Sequence, residues 1–239
     1  MIESNSHESP QDATTIQAAV RALRTQWRTR ELLDATARLM ARDGFERVSM
    51  QALATEAEVS VGLIYRYFSG KQDLLEAVIV DVLDAFEAEI PRAIASGDRD
   101  PVEAMTRAFG ACCRVIDEHR QAALLTYRES KSLSEAGLER IKALEIQSSE
   151  PLRQVIREAI DAGRLIAVDP EILAFDLLLL AHGWALKHWY FERSLDLDSY
   201  IACQNALVLR SVIDPKYQHH YRHLTQTQPQ RSAASQLTE

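Results

Sequence analysis

A chain of 239 residues, 46% of them hydrophobic, can bury one large core or two modest ones, which excludes an intrinsically disordered protein. Glycine and proline are few, at eight and seven, and Ala, Leu, Arg, Glu and Gln abound; these lose little rotamer freedom in helices, so an all-α chain is predicted. A net charge of −8 excludes a protein that coats nucleic acid indiscriminately, and no run of about 18 uncharged apolar residues is present to span a bilayer.

Residues 1–27 read as a polar tail followed by a candidate amphipathic extension. Ile16, Val20, Leu23 and Trp27 recur at helical spacing, and Arg21, Arg24 and Arg28 form a stripe beside them. The opening MIESNSHESPQDATT lacks the charged-then-apolar pattern of a secretory signal. A helix over 29–43 turns Leu32, Thr36, Leu39 and Met40 to one face and stops at Gly44. Phe45 and Val48 plug the following loop. Ser49 caps a helix over 50–57 and Ser60 caps another over 61–67; two short capped helices around a tight turn form a helix-turn-helix pattern.

A long amphipathic run covers 72–95 and includes Phe86, with Pro91 interrupting it. Further helices are predicted over 101–119, 121–132 and 136–162, the last kinked or divided at Pro151. Gly163 ends it, and Pro170 sits in the first turn of the next helix. Residues 171–192 are apolar around most of the helix girth, which demands burial on more than one side. A last amphipathic helix occupies 196–213, and the Gln/Ser-rich stretch 214–239 reads as a disordered tail.

Charge is unevenly spread. Residues 21–71 carry nine Arg or Lys against six acids, whereas 72–239 carry 18 against 26. A basic segment on an acidic body suits a localised contact with phosphate. Cys112, Cys113 and Cys203 read as free thiols of a reducing, cytoplasmic setting. His219, His220 and His223 have helical ligand spacing but no Cys or carboxylate cluster nearby, so no metal is expected. No Gly-rich phosphate loop, CxxC, HExxH or GxSxG is present; neither an enzyme nor a cofactor is expected.

The segment SMQALATEAEVSVGLIYRYFSGKQDLL (49–75) resembles the DNA-binding domain of the TetR family, and the match extends over roughly 28–75. The resemblance implies a helix-turn-helix domain over 28–72 and a helical ligand-binding and dimerisation domain over 73–213. It also implies a homodimer, paired through the helices at about 171–192 and 196–213, on a near-palindromic double-stranded DNA operator. Ile64 and Phe68 anchor the recognition helix in that reading. Arg28, Ser49, Gln51, Ser60, Val61, Gly62, Leu63, Tyr65, Arg66, Tyr67 and Lys71 then stand at the DNA. Tyrosine hydroxyls and Lys71 suit phosphate, Val61 and Leu63 suit thymine methyls, Gln51 suits adenine, and Gly62 permits close approach. The tyrosines equally suit core aromatics, and the arginine stripe a solvated face. One departure is Glu58, where relatives usually carry a turn glycine; it predicts a residue at positive φ.

A second resemblance lies in AHGWALKHWYFERSLDLDSYIACQNALVL (181–209) with YRESKSL (127–133), which is similar to TetR-like regulators that sense acyl-CoA thioesters. It implies an acyl pocket lined by Phe86, Phe109, Tyr127 and Trp184, with Arg128 and His188 at its polar end. An enclosed cavity of several hundred Å3 is expected of such a sensor, and a sealed body of a module that binds a protein partner instead. The regulator is read as a repressor, with an activator as the alternative.

Overall fold

The computed structural model describes residues 28–226; the expected extension before residue 28 and the residues after 226 lie outside that range. Helix α1 runs over 28–43 and ends at Gly44, whose φ of 82° only glycine adopts cheaply. A 3-10 turn, Phe45–Arg47, leads into α2 (Met50–Glu56) and α3 (Val61–Tyr65). Both predicted caps are formed: Ser49 Oγ accepts from the Ala52 amide and Ser60 Oγ from the Leu63 amide, each at 3.1 Å.

The body comprises α4 (Lys71–Ala95), α5 (Pro101–Glu118), α6 (Arg120–Arg128), α7 (Glu135–Asp161), α8 (Pro170–Leu186), α9 (His188–Phe191) and α10 (Leu197–Val212). Helices α4, α5, α7 and α8 pack on one another around the core, and α10 lies against α5. Because α4 is continuous from Lys71, the expected boundary at 72/73 falls inside a helix that joins the two halves. The α5 and α8 starts share one device. Asp100 and Asp169 each precede a proline and accept two backbone amides of the first turn.

The helices differ from expectation in three places. Pro91 does not interrupt α4: it is exposed one turn from the end, where water can take the carbonyl it leaves unpaired. Pro151 does not divide α7, which runs unbroken through it. Ser149 Oγ donates to the carbonyls of Glu145 and Ile146 at 2.7 and 3.0 Å, and Arg153 reaches the Ile146 carbonyl at 2.5 Å. The run 171–192 breaks at Lys187 into α8 and α9.

Residues 214–226 also depart from the reading as a disordered tail. A 3-10 turn, Pro215–Tyr217, and a short helix, α11 (Arg222–Thr225), fold back on the body. Tyr221 is fully buried, and its hydroxyl donates to Asp100 Oδ2 at 2.7 Å, so the carboxylate that caps α5 also pins the C-terminal segment. Cys112 and Cys113 are buried free thiols, pushed up in pKa by that burial; Cys203 is half-buried.

Candidate functional site

Recognition begins with which side chains the helix-turn-helix spends on itself. Ile64 is fully buried and Phe68 packs against the core, which fixes the roll of α3. That roll exposes Gly62, Tyr65, Arg66 and Tyr67, with Gln51 and Arg28 also exposed and Val61 and Leu63 half-buried. Tyr65 and Tyr67 are 54% and 56% exposed, so the alternative reading of them as core aromatics does not hold. A Cβ built on Gly62 would meet nothing within 4 Å, so the fold itself does not require glycine there. Ser49 and Ser60 are exposed but spend a side-chain acceptor on capping.

Lys71 is engaged within the fold. Its Nζ donates to the carbonyls of Phe45 and Glu46 at 2.9 and 3.1 Å and lies 4.6 Å from the centre of the Phe45 ring. The ammonium clamps the Phe45–Arg47 turn to the start of α4.

Glu58 sits at φ 53°, as the missing turn glycine predicts. It closes α2 in the manner of a Schellman motif: the Val59 amide reaches the Ala54 carbonyl (2.9 Å) and the Glu58 amide reaches Thr55 (3.2 Å). A side chain in this region costs about 1–2 kcal/mol. Glu58→Gly is therefore expected to raise unfolding stability by about 1 kcal/mol, read as a higher urea midpoint at unchanged slope. An unchanged midpoint would show that the turn carries no strain.

Among the described residues, the helix-turn-helix half is tied to the body by polar contacts that no sequence motif announces. Arg128 Nη1 on α6 donates to the Ala41 carbonyl of α1 at 3.2 Å. Arg30 Nη2 on α1 is 3.3 Å from His119 Nε2, and the other ring nitrogen lies 3.6 Å from Asp81 Oδ2 on α4. His119 is buried between them, and burial raises the Asp81 carboxyl despite the histidine.

Of the six residues expected around an acyl pocket, Phe86 and Tyr127 meet, and they meet at a residue the sequence reading missed. Both rings flank His182, at centroid distances of 6.2 and 5.6 Å, and Tyr127 Oη is 2.8 Å from His182 Nδ1. Burial holds the imidazole down to about 4. The other four stand apart from this cluster, each engaged with other residues of the fold. Phe109 is fully enclosed in the packing of α5. The Trp184 indole donates to Asp117 Oδ1 at 2.7 Å and stacks on Phe191. His188 pairs with Glu192 at 3.0 Å, and Arg128 holds α1. The space beside Phe86 and His182 is a cavity of about 20 Å3, not several hundred.

Outside the core, Ile172, Phe175 and Leu179 on α8 and Leu207 on α10 are all close to half exposed or more. An apolar groove of about 630 Å3 runs between these helices, walled by Leu173, Leu180, Val208 and Val212 among others.

Comparison with known proteins settles the class. Residues 32–78 match the family model of bacterial regulatory proteins, tetR family, and residues 98–193 match the tetracyclin repressor-like C-terminal domain. The regulator HbdR of Aromatoleum sp. (strain CIB) is 36% identical over 174 residues, 73% of this chain and 76% of its own. The chain belongs to the TetR family. It is thus a helix-turn-helix transcriptional regulator, and the TetR fold is seen again in solved structures. The ketosteroid transcriptional regulator KstR2 of Mycobacterium tuberculosis superposes with a TM-score of 0.64 at 20% identity, covering 78% of this chain and 95% of its own. AibR, in complex with isovaleryl coenzyme A and operator DNA, gives 0.61 at 22% identity, covering 73% and 94%. Among the described residues of this TetR-family chain, no helix is long and apolar enough to cross a membrane.

Proposed function

We propose that the protein is a homodimeric repressor that sets two α3 helices into adjacent major grooves of a near-palindromic operator and is released by a small-molecule effector. The observation that carries the reading is the α2–turn–α3 unit itself. Ile64 is buried while Tyr65, Arg66 and Tyr67 project from the same short helix. The apolar stripe on α8 and α10 supports pairing of two copies, since patches of this kind rarely stay in water. A coenzyme A thioester is the effector class we favour, on the resemblance of the body to thioester-sensing relatives and the fold shared with AibR.

The site for such an effector lies in the body at Phe86, Tyr127 and His182 and must open on binding, because the resting cavity is small. The larger open cleft between α1, α4 and α7, of about 860 Å3, is a poorer receptor for an anionic nucleotide, since Asp73, Glu76, Asp81 and Asp84 outnumber Arg30 and Arg140 in its lining. The tight interior favours a second reading, in which the body binds a protein partner and no small ligand.

The test is a mobility-shift titration on DNA flanking the protein's own coding region, with and without a panel of acyl-CoA thioesters. A specific complex released by a thioester is expected. Tyr65→Phe and Tyr67→Phe should each weaken the complex about fivefold on every sequence, the loss of one phosphate hydrogen bond. A specific complex that no thioester releases would favour the partner reading; tyrosine variants that bind as wild type would overturn the contact assignment.

A further inference from the structure

The open cleft between α1, α4 and α7 is lined by apolar and charged groups together. Leu33, Phe68, Ala77 and Val80 supply the apolar part, and Asp73, Glu76, Asp81 and Asp84 stand with Arg30 and Arg140 in the charged part. On α4 the lining residues recur every three or four positions from Asp73 to Asp84, so they share one helix face about 17 Å long. Three of the four carboxylates are matched inside the fold. Asp73 accepts from the Ser69 amide at 2.9 Å and from its hydroxyl, Glu76 pairs with Arg140 at 3.2 Å, and Asp81 lies 3.6 Å from His119. Asp84 has no hydrogen-bond or ion-pair partner among the described residues. Partial burial, with Asp81 and Glu87 nearby, raises its pKa, the sign of a carboxylate that lacks a cation. Four carboxylates against two guanidinium groups leave the lining two positive charges short.

The chain carries that charge next to the cleft. Residues 1–27 join the described part at residue 28, and Thr29 and Arg30 line the cleft. The stretch IQAAVRALRTQW (16–27) holds Arg21 and Arg24 and no acid. Its apolar stripe, Ile16 to Trp27, covers as many positions as Asp73 to Asp84, so in helical form it matches the α4 face in length, at about 17 Å. Exposed ion pairs are individually weak. A segment tethered beside its receptor, however, acts at about millimolar effective concentration, so weak pairs and a small apolar contact suffice.

We propose that residues 16–27 of this same chain occupy the cleft, with Leu23 and Trp27 against Leu33, Phe68, Ala77 and Val80, and Arg24 paired with Asp84. The docked segment spends on carboxylates the arginines that an arm reaching for phosphate would need. Tyr67 also lines the cleft, so the segment ends its run beside the exposed surface of the helix-turn-helix.

The test uses the full-length protein with fluorotryptophan at its three tryptophans, 27, 184 and 189, the Trp27 resonance being assigned by its loss in Trp27→Phe. A soluble nitroxide broadens exposed rings. Trp184 is buried and sets the protected limit, and the urea-unfolded chain sets the exposed one. The Trp27 resonance is expected to stay near the protected limit in the wild type. It should lose that protection in Arg24→Glu and in Asp84→Arg, and regain it when the two reversals are combined. Trp184, unchanged throughout, reports that each variant is folded. A Trp27 that broadens fully in the wild type would overturn the proposal, and so would protection that survives both single reversals or that the combined reversal fails to restore. Protection lost on dilution would assign the cleft to the segment of a second copy and overturn the intrachain occupant.

Discussion

Phe175→Asp is expected to convert the protein to a monomer at micromolar concentration and to abolish specific operator binding. Phe175 is 55% exposed on α8, so its removal takes little from the fold of one chain. In a two-fold dimer the substitution counts twice. Burying each phenylalanine is worth about 2 kcal/mol, and a carboxylate in its place must be desolvated as well. The combined loss of about 5 kcal/mol or more weakens association by about 10³–10⁴. Sedimentation velocity reads the first consequence and a mobility shift the second, because one α3 helix alone contacts only half an operator. A variant that stays dimeric would move the interface off α8. A monomer that binds operator as tightly as wild type would remove the need for two-fold recognition. Leu207→Asp on α10, with 61% exposure, is the matching substitution on the neighbouring helix and should behave alike.

Acid is expected to destabilise the wild type by about 3 kcal/mol more than His182→Gln between pH 7 and pH 4. The imidazole titrates near its ordinary 6.5 in the unfolded chain and at about 4 in the folded one, because burial opposes the charged form. Between those values the unfolded chain holds more protons, so stability rises with pH. The contribution is fully present above 6.5 and is lost as pH falls toward 4. A separation of about 2.5 units at about 1.4 kcal/mol each gives the expected size. Asp81, Asp84 and Glu145 act in the opposite sense, since burial raises their carboxyl pKa values and acid then favours the fold. Both proteins carry these groups, so the difference between them isolates the histidine. Urea unfolding at the two pH values measures it. A difference below about 0.5 kcal/mol would show that the ring is solvated and that the cavity around it is open.

The DNA-binding half was legible almost residue by residue, because its signals act between near neighbours in the chain. A serine caps the helix that begins one residue later, a glycine stops the helix before it, and Glu58 in place of a turn glycine announced its own φ of 53°. Helix positions in the body were legible for the same reason, and so was their apolar surplus. The rest depends on contacts that no local pattern encodes. Lys71 reads as a phosphate ligand until Phe45, 26 residues away, supplies the carbonyl that takes it. The segment after Pro215 reads as disordered until Tyr221 finds Asp100, 121 positions earlier. A lone histidine in the apolar run of α8 carries no signature, and only the approach of Tyr127, 55 residues before it, gives its Nδ1 a hydrogen-bond partner. By itself, then, the sequence determined the helices and their caps, since those follow from backbone propensity and short spacings. The tertiary structure alone decided which polar groups are spent and which remain free at a cavity, because a hydrogen bond depends on what the fold places opposite each group.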